Sequence, residues 1–214
     1  MASTKKVNGG AKDKVLLVEG RDDCFTIMHL CGAISCSFNI KECGGIDQVK
    51  DATGAELTGS QQLESLGLVV DADDQPIQER WQAVSGLLKP YGFNLPSIPS
   101  KSGTITENNG KKVGIWIMPN NWDKGALEDF LLRLADPDGR DAATAYVKNS
   151  MDSGVARLNS IHQSKGIVHA YLAIQENPGQ PFGTAITSSK AFEVNVELAK
   201  LFTNWLTTLF GSNT

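Results

Sequence analysis

Two short stretches of this sequence decide the fold: residues 14–23 (KVLLVEGRDD) and residues 67–74 (GLVVDADD). Each begins with a continuous apolar run and ends abruptly in acidic residues. Apolar runs of this length are typical of strands that are buried on both faces of a parallel sheet. The pattern therefore predicts two core strands, with Glu19 at the end of the first and Asp71 at the end of the second.

Strands and helices alternate through the first half of the chain. Residues 21–31 follow the first strand with helical spacing, and residues 35–42 alternate like another strand that stops at a Gly-Gly pair before a short helix. A helical stripe over residues 76–88 follows the GLVVD strand. Such alternation predicts an α/β fold with a mostly parallel sheet, right-handed crossovers and helices on its flanks.

The second half begins with a hairpin signal and then becomes helical. Residues 104–107 and 112–118 are strand-like and are separated by Asn-Asn-Gly, which predicts an antiparallel hairpin at the edge of the sheet. Helical patterns follow over residues 126–136, 141–151, 165–175 and 190–210. We expect a helical C-terminal third, which could cover the sheet or form the interface of a homodimer.

Length and composition favour a single soluble domain. The chain has 214 residues, of which 41% are hydrophobic, enough to build one core without disulfides. Residues 1–13 are small and polar and are expected to form a flexible tail, followed by one domain over residues 14–214. The sequence contains no apolar run of membrane-spanning length and no export signal, which predicts a cytoplasmic protein with no membrane partner.

The cysteines, the histidines and the overall charge narrow the possible chemistry. All four cysteines fall within one 20-residue stretch and lack zinc-type spacing, so we expect buried, reduced thiols. The three histidines are scattered, which favours structural or surface roles over metal ligation. The net charge of −4 excludes nucleic-acid binding by general electrostatic attraction alone.

Acidic residues follow two of the predicted parallel strands, where binding sites of open α/β sheets lie. Glu19, Asp71 and Asp73 can meet at this edge, and Asp23 can reach the same point from the first turn of the following helix. Two carboxylates about 4 Å apart repel by roughly 4 kcal/mol at an effective dielectric near 20. Oxygen ligands without His or Cys suit Mg²⁺ or Mn²⁺ rather than zinc.

Each acidic group also has a structural interpretation. Glu19 before a glycine could be a turn residue, Asp22 and Asp23 could cap a helix, and residues 71–74 could be an acidic loop. The combination of Glu-Gly after one strand and Asp-x-Asp after another, within a βαβαβ pattern, favours a functional site.

The same motifs resemble the TOPRIM domain of topoisomerases, bacterial primases and OLD-type nucleases, whose hallmarks are a Glu-Gly and a later Asp-x-Asp. The resemblance covers roughly residues 14–75. It implies a TOPRIM-like fold, with Glu19 as the family's glutamate, Asp23 as the acidic residue four positions on, and Asp71 and Asp73 as the metal-binding pair.

Beyond this segment, the chain is similar to small stand-alone TOPRIM-like proteins of uncharacterised function, through GIWIMPNNWDKGALEDFL, AYLAIQENPGQPFGTAI and FTNWLTTLF. In that group an aspartate is common after the Met-Pro pair, where this chain has Asn120 and Asn121. The departure leaves Glu128 and Asp129 as candidates for a fourth acidic ligand, and both could equally be charges that stabilise a helix N-terminus. We take Glu128 as the candidate ligand.

Three further side chains are candidates for contacts with a phosphate substrate. A lysine can neutralise transition-state charge, and OLD nucleases employ one; Lys124 and Lys165 are the candidates, and both are also compatible with a solvated surface. We take Lys165, with Glu19, as a catalytic candidate. Trp122 lies in a polar loop beside Lys124 and is the tryptophan most suited to contact nucleic acid.

These expectations predict a Mg²⁺- or Mn²⁺-dependent nuclease of TOPRIM type that cleaves phosphodiester bonds in DNA or RNA. Asp71 and Asp73 would hold metal, and Glu19 would complete a second metal site or act as general base. Binding to nucleic acid should be weak without metal. Two alternatives stay open: a non-catalytic TOPRIM module that binds nucleic acid or protein, and a haloacid-dehalogenase-like phosphatase, which would leave Glu19 unexplained.

Overall fold

A computed structural model describes residues 4–59, 61–188 and 190–211 of the chain. Six strands form one sheet in the order β1-β3-β2-β4-β6-β5. The strands are β1 (Thr4–Val7), β2 (Lys14–Val18), β3 (Phe38–Glu42), β4 (Ser65–Asp71), β5 (Thr104–Asn108) and β6 (Lys111–Met118).

Helices connect these strands and make up the last third of the fold. They are α1 (Arg21–Leu30), α2 (Ile46–Gly59), α3 (Ile77–Gly86), α4 (Leu127–Leu134), α5 (Pro137–Asp152), α6 (Gln163–Ala173), α7 (Phe182–Thr187) and α8 (Glu197–Phe210).

The sheet is parallel in its centre and antiparallel at both edges. β3, β2, β4 and β6 run parallel, whereas β1 pairs antiparallel with β3 and β5 with β6. The β5–β6 turn has positive φ at Asn109 (50°) and Gly110 (75°), the conformation that favours an Asn-Gly pair in a tight hairpin. The predicted α/β fold, with a mostly parallel sheet, an edge hairpin and a helical last third, is confirmed.

Side chains of the central strands alternate between the two faces of the sheet and pack into two separate hydrophobic cores. Leu16 and Val18 of β2 pack with residues of α1, α4 and α8 on one face of the sheet. Val15 and Leu17 pack with residues of α2 and α3 on the other face. Because both faces are covered, the carboxyl edge of the parallel strands is the place where polar side chains can gather without disturbing the core.

The last helix, α8, lies directly against the middle of the sheet. Gly67 of β4 and Gly114 of β6 are partners in the strand register. A Cβ atom would lie 3.1 Å from Leu209 Cδ2 at the first glycine and 2.7 Å from the same atom at the second. The glycine pair therefore provides the space in which α8 rests.

Strand β1 corrects the expectation of a flexible tail over residues 1–13. Val7 is buried, and the strand pairs with β3 over Thr4–Val7. Asn8 then donates hydrogen bonds from Nδ2 to the carbonyls of Ile34 (2.7 Å) and Cys36 (2.9 Å). The burial of Val7 and the hydrogen bonds of Asn8 hold this segment in place despite its polar composition. Residues 1–3 lie outside the described residues.

The sequence predicts a helix throughout residues 190–210, but α8 begins only at Glu197. Before it, Phe192 forms an isolated antiparallel bridge with Ala135, and Glu193 N–H donates to Leu134 O at 2.7 Å. Tyr171 also donates its hydroxyl to Ala191 O. These contacts hold the chain extended against the end of α4, where helical periodicity of the sequence is overridden by tertiary hydrogen bonds.

The cysteines are free, as expected, and burial makes them unreactive. Cys24, Cys31 and Cys36 are buried and Cys43 is half-buried. Burial raises the pKa of Cys24, Cys36 and Cys43 to about 11, and raises the pKa of Cys31 as well. Thiols of this kind are protonated at neutral pH and are poor nucleophiles.

The helices were compared with the length and apolar character of a membrane span. Within the described ranges, none of them combines the length and the apolar character that a membrane crossing requires.

We predict that Gly114→Ala lowers the free energy of unfolding by roughly 1–3 kcal/mol, because the new methyl group would displace α8 from the sheet. Gly86→Ala is the matched control, since a Cβ there meets no atom within 4 Å. Urea denaturation monitored by circular dichroism measures both. Equal stability of the two variants would show that α8 does not depend on the glycine pair.

Candidate functional site

A cleft of about 420 Å³ opens at the carboxyl ends of β2 and β4. Its wall is built from the β2–α1 turn, the glycine turn after β3, the end of β4 and the first turn of α4. The charged side chains that line it are Glu19, Arg21, Asp22, Asp23, Asp71, Glu128 and Lys165. The structure thus brings four predicted acidic site residues and the predicted lysine into one cleft.

Glu19 connects the ends of two neighbouring strands. Its Oε1 accepts a hydrogen bond of 2.8 Å from the backbone N–H of Asp71. Its own carbonyl accepts from Gly44 N–H (2.8 Å) and Gly45 N–H (3.0 Å), so the glycine turn after β3 wraps around the same residue. Both the backbone and the side chain of Glu19 are therefore held in place next to the carboxyl end of β4.

Asp23 combines a structural role with a place in the cleft. It is the third residue of α1, is 7% exposed, and accepts a hydrogen bond at Oδ2 from Gly20 N–H (3.0 Å). This is the reciprocal half of a capping box. The capping interpretation is correct, and it also fixes the carboxylate beside Glu19 and Asp71.

Asp71 ends β4 and positions the first turn of α4. Its Oδ1 accepts from Leu127 N–H at 3.1 Å, which satisfies one of the free donors of that helix terminus. Glu128 is the next residue and faces the same cleft, where its Oε1 lies 3.6 Å from Lys165 Nζ of α6. Glu128 is mostly buried, whereas half of the Lys165 side chain is exposed.

The acidic side chains raise one another's pKa. Burial, the largest cause, raises the pKa of Asp23 to about 7, and the negative charge of Glu19 adds to the effect. Burial and then the charges of Asp23 and Glu19 raise the pKa of Asp71 well above its usual range. The pKa of Glu19 is raised by burial and by Asp73, against the hydrogen bond from Asp71 N–H. Among the described residues, neither Asp23 nor Asp71 forms an ion pair that would offset these effects.

Asp73 does not line the cleft. Its carboxylate is 58% exposed and forms an ion pair of 2.8 Å with Nη2 of Arg80, a buried residue of α3. The backbone of Asp73 has a φ of 53° and exchanges two hydrogen bonds of 2.9 Å with Gly125. The second aspartate of the Asp-x-Asp motif is thus held beside the cluster but directed to an arginine.

The structure separates the two acidic candidates at the start of α4. Asp129 accepts from Ala126 N–H (2.9 Å) at Oδ2 and from the Ser164 hydroxyl (2.7 Å) at Oδ1. It caps α4 and joins it to α6. Glu128, in contrast, lines the cleft, so only one of the pair is placed to contact a ligand there.

The remaining candidates lie in the loop after β6. Asn121 is buried and accepts at Oδ1 from Ile117 N–H (2.7 Å), and Asn120 accepts at Oδ1 from the N–H groups of Trp122 and Asp123. Both asparagines stabilise the loop and do not line the cleft. Lys124 is exposed on the same loop, also away from the lining residues.

The oxygen ligands in the cleft are of the type that a hard divalent cation binds, but they are not arranged as a metal site. Within the described residues, no group of three or more His, Cys, Asp or Glu side chains is arranged to hold a metal ion. The other carboxylate oxygen of Glu19 and that of Asp71, however, accept no hydrogen bond from any described residue. Buried carboxylates without a cationic partner suit Mg²⁺ or Mn²⁺ after rotation of the side chains.

Two residues that shape the site carried no signal in the sequence. Arg80 sits in a helical stripe and looks like an ordinary surface arginine, yet it is 6% exposed and its Nε has no partner among the described residues. Ser164 precedes Lys165 and ties α6 to Asp129. The sequence shows only that an arginine follows the Asp-x-Asp motif by seven residues, which does not reveal that the arginine is buried.

We predict that Asp23→Asn stabilises the protein at pH 8, because a carboxyl group with a raised folded-state pKa costs free energy when it ionises. Its contribution to stability is complete below the unfolded-state pKa, near 3.8, and is lost as the pH rises through about 7. The gain at pH 8 should be on the order of 2 kcal/mol and should vanish near pH 4.

Thermal or urea unfolding across this pH range measures the difference. The control is Asp51→Asn, an exposed position on α2 that should change stability by less than about 0.5 kcal/mol at either pH. A gain for Asp23→Asn that is independent of pH would contradict the electrostatic explanation.

Comparison with known proteins gives a family but no activity. No curated protein and no solved structure matches the chain. A family profile matches residues 13–211, which include the whole acidic cleft and nearly all of the described fold. The chain therefore belongs to the DUF3226 family, described as proteins of unknown function.

Proposed function

We propose that this protein is a Mg²⁺- or Mn²⁺-dependent enzyme that cleaves phosphodiester bonds in nucleic acid, as in the TOPRIM domain that its motifs resemble. One observation carries the proposal: Glu19, Asp23 and Asp71, from three places in the chain, share one partly buried cleft in which their pKa values are raised. Structural carboxylates are normally paired with cations or kept in solvent.

The charge of the cleft supports a divalent cation as the missing partner. Lys165 lies at its rim, 3.6 Å from Glu128, and Arg80 is occupied by Asp73. Neither of these cations pairs with Asp23 or Asp71, and Arg21, which also lines the cleft, contacts the Phe25 ring instead. A divalent ion would lower the energy of both carboxylates, and oxygen donors without His or Cys favour magnesium or manganese.

The proposal assigns a role to five of the residues that line the cleft. Asp71, Asp23 and Glu128 would hold the metal ion, which supplies positive charge to a phosphoryl oxygen and favours an attacking water. Asp73 could join them only by leaving Arg80. Lys165 pairs with Glu128 and also lines the cleft, so its ammonium group could neutralise charge that develops on the phosphate.

Glu19 is the best candidate for a general base. Its raised pKa brings it nearer to neutral pH, the range in which a carboxylate accepts a proton most effectively. Its Oε1 is held by Asp71 N–H, which fixes the orientation of the carboxylate and leaves the second oxygen for a water molecule. A fixed base at the end of a strand suits proton abstraction better than a mobile surface glutamate.

Nucleic acid would bind weakly in the absence of metal, because the cleft is acidic and the whole chain carries a net charge of −4. A homodimer that formed through α5, whose residues do not line the cleft, would leave the cleft accessible.

A non-catalytic binding module is the second candidate. Asp73 is paired with Arg80, and Glu19, Asp23 and Asp71 each accept a hydrogen bond from a backbone N–H group. These contacts favour a structural role for the acidic cluster. Such a module would retain nucleic acid or a protein partner without forming product.

We predict that millimolar Mg²⁺ raises the melting temperature of the wild-type protein at pH 8 and that Asp71→Asn abolishes this shift together with any cleavage. An amide at this position keeps the acceptor for Leu127 N–H but removes the charge that attracts the ion. Differential scanning fluorimetry and an assay on labelled single- and double-stranded DNA and RNA measure the two effects.

The matched control is Asp152→Asn, which alters an exposed aspartate at the end of α5, away from the cleft. It should keep both the shift and the activity. A metal shift without cleavage of any substrate would support the binding module, and the absence of any shift would overturn the proposal.

We predict that Lys165→Met lowers the cleavage rate by roughly 10²-fold while the Mg²⁺-dependent melting shift persists, because the lysine acts on phosphate charge and is not a metal ligand. Lys148→Met, at an exposed position of α5, is the control. Single-turnover kinetics at saturating Mg²⁺ measure the rate. A loss of the melting shift would instead place Lys165 among the groups that organise the acidic cluster.

A further inference from the structure

Trp122 differs from every other tryptophan of the chain. Trp81, Trp116 and Trp205 are all within 2% of complete burial, whereas Trp122 is 50% exposed. A large aromatic side chain in solvent forfeits about as much hydrophobic free energy as any single residue can, roughly 25 cal/mol for each Å² of apolar surface. The exposed half of this indole therefore offers an aromatic surface on which a ligand could stack.

The loop that carries Trp122 is anchored on both sides. Asn120 accepts at Oδ1 from the backbone N–H of Trp122 (3.2 Å) and of Asp123 (2.8 Å). Asp123 forms an ion pair of 2.8 Å with Arg133 of α4, and Asn121 is buried beneath the loop. The indole is thus presented by a preorganised backbone, which reduces the entropy lost on binding.

A lysine lies against the ring. Lys101 Nζ is 4.4 Å from the Trp122 ring centroid, a cation–π contact between two loops that are more than 20 residues apart. In the described part of the chain, Lys101 forms no ion pair with a carboxylate. Lys101 covers one face of the indole, so a base would stack on the part of the ring that stays exposed while the ammonium group contacts the neighbouring phosphate.

The pair lies at the same edge of the sheet as the acidic cleft. Met118, at the end of β6, is the register partner of Asp71, and the Trp122 loop returns at Gly125 to pair with Asp73. β2 and β6 are separated by β4 alone, about 10 Å at the usual strand spacing. A chain that contacts Trp122 can therefore continue along this edge to the cleft.

We propose that Trp122 and Lys101 form a stacking platform for an unpaired base of single-stranded nucleic acid, next to the acidic cleft. Stacking needs a free π-face, which bases inside a duplex do not offer, so the platform selects single strands. Lys101 binds the adjacent phosphate. That the bound nucleic acid continues toward the cleft rests on the proposed function. The platform itself does not require a metal ion.

Intrinsic fluorescence tests the platform directly, because the other three tryptophans are buried and a bound base would quench mainly Trp122. The wild-type protein is titrated with a thymidine oligonucleotide in EDTA buffer at low salt, and affinity is measured in parallel by anisotropy of a labelled oligonucleotide. We expect quenching on binding, and roughly tenfold weaker affinity for Trp122→Ala. Trp122→Phe should bind within about threefold of wild type.

Two further comparisons separate base stacking from charge. An abasic oligonucleotide of the same length should bind more weakly and should not quench the fluorescence. Lys101→Gln should reduce the dependence of log affinity on log salt by about one unit of slope, whereas Lys148→Gln, an exposed lysine on α5, should not. Equal binding and quenching by the abasic or duplex form would overturn the platform.

The Mg²⁺ melting shift, measured on the same variants, distinguishes this inference from the proposed function. Trp122→Ala should keep the wild-type shift, because Trp122 does not line the cleft. Wild-type affinity in Trp122→Ala, or no oligonucleotide binding in the wild-type protein, would overturn the platform even where the shift is present. Quenching by single strands without any Mg²⁺ shift would support the platform and refute the metal-dependent enzyme.

Discussion

The hydrogen bond from the Asp71 backbone N–H to Glu19 Oε1 is the contact on which the site depends. It holds the carboxylate at the end of β2 against the end of β4, so the side chains of Glu19 and Asp71 must occupy one partly buried volume. Asp23 enters the same volume because its capping bond to Gly20 fixes the first turn of α1. The raised pKa values follow from this geometry and from burial.

The sequence was sufficient to predict five of the six strands and the meeting of the acidic strand ends at one edge. The apolar runs before Glu19 and Asp71 identify buried parallel strands, and the carboxyl ends of parallel strands lie at one edge. The Asn-Gly turn likewise identified the β5–β6 hairpin, because few residue pairs tolerate positive φ at both positions. These features depend on local pattern, which a single sequence displays.

The details that the sequence did not reveal depend on contacts between distant or ambiguous residues. Asp73 resembles its neighbour Asp71 in the motif, but only the fold shows that Arg80 draws its carboxylate away. Glu128 and Asp129 are adjacent acids, and the choice between them depends on Ser164, 35 residues further on. Strand β1 was missed because a single buried residue, Val7, supports it in a polar segment.

The distribution of positive charge around the cleft bears on how the site could work. Arg80 and Lys165 each pair with an acid at the periphery, Asp73 and Glu128, and so leave Asp23 and Asp71 in the middle without a cation. Moving either cation inward would relieve the repulsion but would leave a peripheral acid unpaired. A fold that needed these carboxylates only for structure would be more stable with amides in their place. Their combination of burial and uncompensated charge supports the proposal that the central acids exchange an ion or a proton with solvent.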